Sequence, residues 1–120
     1  MKKNEFRVIV TGGAEFTNLD LVRVKLNLLL SDKKNVAIVS GQSTGADRMG
    51  EIYAYENELN TYFYPPLWQE YGNQSEFIRN EEMAKVAHAC ICFWDGESVS
   101  TKHMIDTAKS KQIPLRVINY

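Results

Sequence analysis

The sequence has few of the residues that form disulfides or metal sites, which stabilise small proteins without a large core. Its 120 residues include two cysteines, three prolines and two histidines. Cys90 and Cys92 stand two apart in an apolar run, and in a strand that spacing puts their side chains about 7 Å apart on one face, which disfavours a disulfide. Two reduced thiols are typical of a reducing compartment. We therefore expect a cytoplasmic protein that relies on its hydrophobic core.

An excess of either charge is also missing. Lys and Arg number 14 and Asp and Glu number 15, so the net charge is −1. Strong non-specific binding to nucleic acid needs many unpaired cations, and a polybasic membrane-surface protein needs the same. No stretch approaches roughly 18 uninterrupted apolar residues, and the first six residues lack the apolar segment of a signal peptide. These absences predict a single domain, residues 1–120, that is not in a membrane and is not a general nucleic-acid binder.

Short apolar runs alternate along the chain with segments of helical periodicity. The runs are rich in β-branched and aromatic residues and most end at glycine or proline, which favours strands at 6–10, 36–39, 61–64, 89–94 and 115–118. Between them, apolar residues recur at helical spacing. This order predicts an α/β fold, a three-layer open parallel sheet of five strands with helices on both faces. The one long connection, 65–74, contains Trp68 and Tyr71 and suggests a lid or an interface loop.

The turn after the second predicted strand gives the strongest indication of a site, because ligands of open parallel sheets bind beyond the carboxyl ends of the strands. Residues 40–48 are small, polar and glycine-containing, and they lead directly into a helix. The free N–H groups and the dipole of such a helix start attract phosphate or carboxylate. No Gly-Lys-Ser/Thr follows, so this is not a Walker A loop. Asp47 stands three residues after Thr44, and its carboxylate could instead close a capping box. Thr17 and Asp20 have the same spacing at the preceding helix.

The turns after the first and fourth strands supply further candidates. Glu15 is the acidic side chain of the first turn expected to face the cleft, or else a solvated loop residue. Asp95 precedes hydroxyl residues that either hold a phosphate or simply cap the next helix. Trp94 either stacks on a base or packs in the core, and core packing is favoured. The predicted ligand-binding residues are Thr11, Gly12, Gly13, Ser40, Gly41, Gln42, Ser43, Thr44, Gly45, Asp47, Arg79, Asn80, Asp95, Gly96, Ser98 and Thr101.

Arg79 and Asn80 belong to this set because they stand near a helix start, beside its apolar face. Buried polar groups need partners, and these two could find a ligand phosphate, a neighbouring carboxylate or a loop carbonyl. The two histidines form no catalytic triad and no metal-ligand cluster. We therefore expect no metal and no required cofactor.

Taken in order, these motifs resemble a known family. They are similar to the YspA-like, YpsA-related branch of the SLOG superfamily, nearly throughout from Arg7 to Ile118, in the segments 7–13, 39–41, 44–47, 64–65, 78–80, 93–96 and 101–105. The resemblance implies a Rossmann-like fold with strand order 3-2-1-4-5 and a nucleotide or nucleotide-derived ligand across the strand ends. Together with the aromatic loop around Trp68 and Tyr71, it also suggests a homodimer.

Two departures from the family pattern bear on activity. Ala14 stands where relatives often have arginine, and Ser100-Thr101 stands where many have Gly-Thr. The phosphoribohydrolases among the relatives use Pro-Gly-Gly-x-Gly-Thr followed by glutamate, a motif that this chain replaces with Asp-Gly-Glu-Ser-Val-Ser-Thr.

Three functions are therefore weighed. The favoured one is a sensor, carrier or sequestering module that binds a phosphoribosyl or ADP-ribose-like molecule. The alternative is a nucleotide N-glycosidic hydrolase that would use Glu15 or Asp95, with Glu97 as a further candidate. Single-stranded DNA binding comes third because of the net charge.

Overall fold

The strands form one parallel sheet in the order β3-β2-β1-β4-β5, which confirms the predicted fold class. The structure, a computed structural model, describes residues 1–120. Each predicted strand and helix is present, with shifts of a few residues at the ends. In chain order the elements are β1 Phe6–Gly12, α1 Leu19–Leu29, β2 Val36–Ser40, α2 Ala46–Glu56, β3 Asn60–Phe63, α3 Trp68–Tyr71, a 3₁₀ turn Gly72–Gln74, α4 Ser75–Val86, β4 Ala89–Trp94, α5 Val99–Ser110 and β5 Leu115–Asn119.

Alternate residues of the central strand β1 serve two separate cores. Val8 and Val10 face α1 and α2, where they pack with Val22 and Leu26. Ile9 faces the other way, into the core beneath α4 and α5. Because side chains alternate along a strand, a central strand covered by helices on both sides is apolar throughout. That is why β1 and β4 read as continuous apolar runs.

The direction of the chain across the sheet reverses beside β1. From β1 the chain steps outwards through β2 to β3, and it then crosses over α4 to β4 on the other side of β1. The β1–α1 and β4–α5 loops therefore leave the sheet at neighbouring strand ends. Such a switch point opens a crevice beyond the carboxyl ends of the strands.

One prediction of a helix end is wrong. The N-cap of α1 is Asn18, whose side-chain oxygen accepts from the N–H of Leu21, and not Thr17. The long connection 65–74 contains α3 and a 3₁₀ turn, and its role as a lid or an interface loop stays a prediction. Short turns of this kind lack a long periodic pattern and are hard to predict from sequence. Each helix of the structure is too short or too polar to span a lipid bilayer.

The sulfur atoms of Cys90 and Cys92 lie 3.6 Å apart, so the predicted side-chain separation of about 7 Å is wrong. The strand fixes the spacing of the Cα atoms, but side chains on one face can turn toward each other. Both cysteines are free and buried. The hydrogen bond to Cys92, together with burial, raises the pKa of Cys90, which keeps this thiol protonated.

Candidate functional site

The loops that follow β1, β2 and β4 all lie at one edge of the sheet. The N–H of Gly13 donates to the carbonyl of Phe93 (3.0 Å), which joins the first loop to the end of β4. The N–H of Ala46 donates to the carbonyl of Gly13 (3.2 Å), and the hydroxyl of Thr44 donates to the carbonyl of Ala14 (3.0 Å). The first loop is therefore held against both of its neighbours.

Gly45 allows the β1–α1 loop to sit on the start of α2. Its φ of 74° and ψ of −128° suit glycine alone. A Cβ at this position would lie less than 3.0 Å from the carbonyl oxygens of Gly13 and Ala14. One of the free N–H groups at the start of α2, that of Ala46, therefore already has a partner inside the protein, the carbonyl of Gly13.

Asp47 is buried where these loops meet, with 1% of its surface exposed. Its Oδ1 accepts from the hydroxyl of Thr11 (2.6 Å), and its Oδ2 accepts from the N–H of Ser43 (3.4 Å). Burial raises the pKa of Asp47, whereas the hydrogen bond from Thr11 and the charge of Arg79 oppose the rise. The capping box with Thr44 is wrong, because Gly45 is the N-cap of α2 and the Asp47 carboxylate joins β1 to the β2–α2 loop.

Arg79 approaches the same point from α4 and is 5% exposed. Its Nη1 donates to the carbonyl of Gly41 (2.5 Å), and its Nη2 lies 3.5 Å from a carboxylate oxygen of Glu76. Its Nε has no hydrogen-bond partner. Burial lowers the pKa of Arg79, while the charges of Asp47 and Glu76 act in the opposite direction. Two of the three partners that the sequence suggested for Arg79, a carboxylate and a loop carbonyl, are therefore present.

Gly41 lies between the two buried charges. A Cβ on this residue would come within 3.0 Å of both Arg79 Nη1 and Asp47 Oδ2. The absence of a side chain lets the guanidinium and the carboxylate share the space that a Cβ of residue 41 would occupy. The sequence showed only that a glycine directly follows a strand. The reason that glycine is needed there is the close approach of Arg79, which comes from α4.

The loop after β4 is ordered mainly by its own hydrogen bonds. Asp95 Oδ1 accepts from the N–H groups of Glu97 (2.8 Å) and Ser98 (2.9 Å), and these bonds lower the pKa of Asp95. The side chain of Ser98 accepts from the N–H of Thr101 and caps α5. Capping, one of the two alternatives for the hydroxyls here, is therefore confirmed for Ser98.

Asn80 and Trp94 also have partners within the protein. Asn80 is 1% exposed, and its amide donates to the carbonyl of Ser100 (3.0 Å), which ties α4 to the first turn of α5. Trp94 packs against the core beneath α4 and α5, as favoured, and its indole N–H donates to the carbonyl of Ser98 (3.2 Å). Both residues therefore hold α5 and the loop before it in place.

Tyr120 is a residue of this edge that the sequence did not indicate. It follows β5, and its ring centroid lies 4.5 Å from that of Phe16. A Cβ on Gly13 would overlap its hydroxyl. Burial raises the pKa of Tyr120, and the charges of Asp95 and Glu15 add to the rise. Of the two predicted catalytic carboxylates, Glu15 is exposed.

A cavity of about 340 Å³ adjoins Arg79 on the side away from the switch point. The end of β3, the segment around α3 and the first turns of α4 form its walls. Sequence reasoning did not identify this cavity, although the aromatic residues of 65–74 were a signal. No group of three or more His, Cys, Asp or Glu side chains could hold a metal ion. The residues that line the cavity are Phe63, Tyr64, Pro65, Leu67, Tyr71, Ser75, Ile78, Arg79 and Glu82.

Comparison with known proteins shows which family the chain resembles. The family model YAcAr, described as the YspA, cpYpsA-related SLOG family, matches residues 6–71. The "Gene 61 protein" of Mycobacterium phage D29 is 28% identical over 121 residues, which covers 95% of this chain and 95% of that protein. No solved structure matches the chain.

Proposed function

The chain belongs to the YspA, cpYpsA-related SLOG family, and from this premise we propose that it binds a nucleotide or a nucleotide-derived molecule. The ligand carries a phosphoribosyl or ADP-ribose-like group and lies along the carboxyl edge of the sheet. The protein acts as a sensor, a carrier or a sequestering module. The observation that carries this proposal is the buried guanidinium of Arg79 beside the loop after β2.

A buried cation with an unpaired donor favours an anionic ligand. The guanidinium can donate five hydrogen bonds, yet within the protein it donates one short bond to the carbonyl of Gly41 and a long one to Glu76, with the charge of Asp47 nearby. Removal of a charge from water is costly unless it is paired and hydrogen-bonded. A phosphate or a carboxylate that reached this guanidinium would complete its pairing with strong, charge-assisted bonds.

The carboxylates of the edge are poorly suited to one role in N-glycosidic hydrolysis, that of the general acid. Asp95 accepts two hydrogen bonds from its own loop and its pKa is lowered, which makes it a poor proton donor. Glu15 is exposed, whereas a glycosidase acid usually has a pKa raised by an apolar environment. Neither side chain has the surroundings that general acid catalysis requires.

Calorimetric titration with a panel of nucleoside monophosphates, NAD and ADP-ribose tests the proposal. We expect saturable binding by at least one of them, and a loss of at least about tenfold in affinity on Arg79→Lys, because lysine cannot reproduce the planar fork of the guanidinium.

The matched control is Arg48→Lys, which changes an arginine whose side chain is 60% exposed, on helix α2. We expect its affinity to stay within about twofold of the wild type. Absence of heat with every ligand, or an equal loss in the two variants, contradicts the proposal. Release of free base during the incubations contradicts a purely binding role.

A further inference from the structure

The cavity beside Arg79 has the size and the lining of a small-molecule site. Its volume of about 340 Å³ lies within the range of ligand pockets, which bury most of their ligand between apolar walls. The lining includes the apolar and aromatic side chains of Tyr64, Leu67, Tyr71 and Ile78. Such walls suit a flat ring and disfavour a phosphate or a sugar, which would lose its hydration there.

Arg79 joins this cavity to the loop after β2. The same guanidinium lines the cavity and donates to the carbonyl of Gly41. Tyr64 makes a second connection, because its N–H donates to the carbonyl of Ser40 (2.8 Å) at the end of β2. A ligand that places an anionic group at Gly41 can therefore extend past Arg79 into the cavity.

Glu82 gives the cavity a hydrogen-bond acceptor at its rim. It stands three residues after Arg79 on α4, so the two side chains project from the same face of the helix. Tyr64 and Glu82 both line the cavity, and the charge of Glu82 adds to the rise that burial causes in the pKa of Tyr64. The Glu82 side chain is 51% exposed, and its Oε1 lies 3.4 Å from Nζ of the exposed Lys85, a contact that contributes little and that a ligand N–H can join or replace. An ionised carboxylate only accepts hydrogen bonds, and it therefore selects N–H groups on a ligand.

We propose that this cavity is the base subsite of the ligand site and that it takes an amino-substituted heteroaromatic base. The ring lies between Tyr64, Tyr71 and Ile78, and an exocyclic N–H donates to Glu82. Arg79 stands between the base and the phosphate-bearing part of the ligand. This inference rests on the proposed function, and it adds the chemical class of the base and the place where it binds.

Nuclear magnetic resonance of the Ile78 methyl group tests the location of the base. Titration with AMP or GMP should shift this methyl resonance, because an aromatic ring placed against it adds a ring current. Ribose 5-phosphate should shift the backbone amides of Gly41 and Gly45 without moving the methyl signal. If a nucleotide shifts only the amides, the base subsite is overturned and the proposed function stands. If neither group responds to any nucleotide, both are overturned.

Comparison with IMP tests the role of Glu82, since IMP lacks the 6-amino group of AMP and the 2-amino group of GMP. We expect at least one of these two nucleotides to bind about tenfold more tightly than IMP, in keeping with a hydrogen bond to a charged acceptor. Glu82→Gln should reduce that preference to about twofold. Glu81→Gln, which removes a charge from the neighbouring exposed residue, should leave it unchanged. Equal binding of all three nucleotides to the wild type overturns the amino-base assignment.

Discussion

At the scale of single residues, the site depends on two buried charges that approach one glycine. Asp47 and Arg79 are 1% and 5% exposed, and both come close to Gly41. Each charge lowers the cost of burying the other, in the directions seen in their pKa values. Burial is the largest cause of both pKa shifts, so keeping the two groups charged inside the protein lowers its stability. An anionic ligand bound to Arg79 would lower the cost of burying that cation.

The titration of Asp47 gives a prediction for stability. Burial raises its pKa in the folded protein above the ordinary value of 3.8. Its contribution to stability is therefore complete below pH 3.8 and is lost as the pH rises from 3.8 to the folded pKa. Asp47→Asn has no such titration. The free energy of unfolding of the wild type minus that of the variant should decrease over this window.

Urea unfolding of both proteins between about pH 3 and about pH 7 measures this difference. Each pKa unit between the folded and unfolded states corresponds to about 1.4 kcal/mol. The carboxylates whose pKa is lowered, such as Asp95 and Asp106, titrate alike in both proteins and cancel. A difference that stays flat or increases with pH would show that burial does not control Asp47.

At the scale of elements, the fit between the β1–α1 loop and α2 depends on Gly45. The structure contains a matched comparison, because Gly72 has nearly the same backbone angles, φ 56° and ψ −129°, as Gly45, φ 74° and ψ −128°. A Cβ at Gly72 meets nothing within 4 Å, whereas one at Gly45 overlaps the first loop. An alanine would have the same backbone strain at both positions, but only at position 45 would its methyl group also meet a neighbouring loop.

Alanine at these two positions should therefore separate strain from loop packing. We expect Gly72→Ala to destabilise the protein by about 1–3 kcal/mol through backbone strain. Gly45→Ala should cost a further amount of about 1–3 kcal/mol, because the loop must move away. Thermal or urea unfolding measures both values. Equal losses would mean that the first loop yields to the new methyl group without cost.

At the scale of the whole molecule, the three loops, the cavity and α4 share one edge of the sheet, and exposed aromatic residues stand beside it. Trp68 is 52% exposed and Tyr71 is 44% exposed, next to Phe63 and Leu67. Exposed apolar patches of this kind are typical of binding surfaces. The homodimer suggested by the sequence stays a prediction, and we expect it to form through Trp68, the residue of this patch that does not line the cavity beside Arg79.

Sedimentation over a range of concentrations tests the dimer. We expect a species of twice the 13.7 kDa chain mass and a loss of at least about tenfold in dimer affinity on Trp68→Ser, since an aromatic residue central to an interface contributes strongly. Val99→Ser, at a residue 70% exposed on α5, is the control and should leave dimerisation unchanged. A monomer at every concentration in the wild type contradicts the prediction.

The sequence by itself determined the strands and the four long helices, and it predicted the edge of the sheet at which the candidate site lies. These features are local. Residues close together in the sequence set the period of two or of 3.6 residues, and they also place a glycine after an apolar run. The resemblance to the family added the strand order.

Only the tertiary structure decided which polar groups meet. Arg79 reaches Gly41 across 38 positions of the chain, and Thr11 reaches Asp47 across 36. No local pattern specifies such pairs, because they depend on how α4 packs over the sheet and how the loops close on one another. The same reason accounts for Tyr120 over Gly13 and for the cavity beside Arg79, where segments distant in sequence enclose a single space.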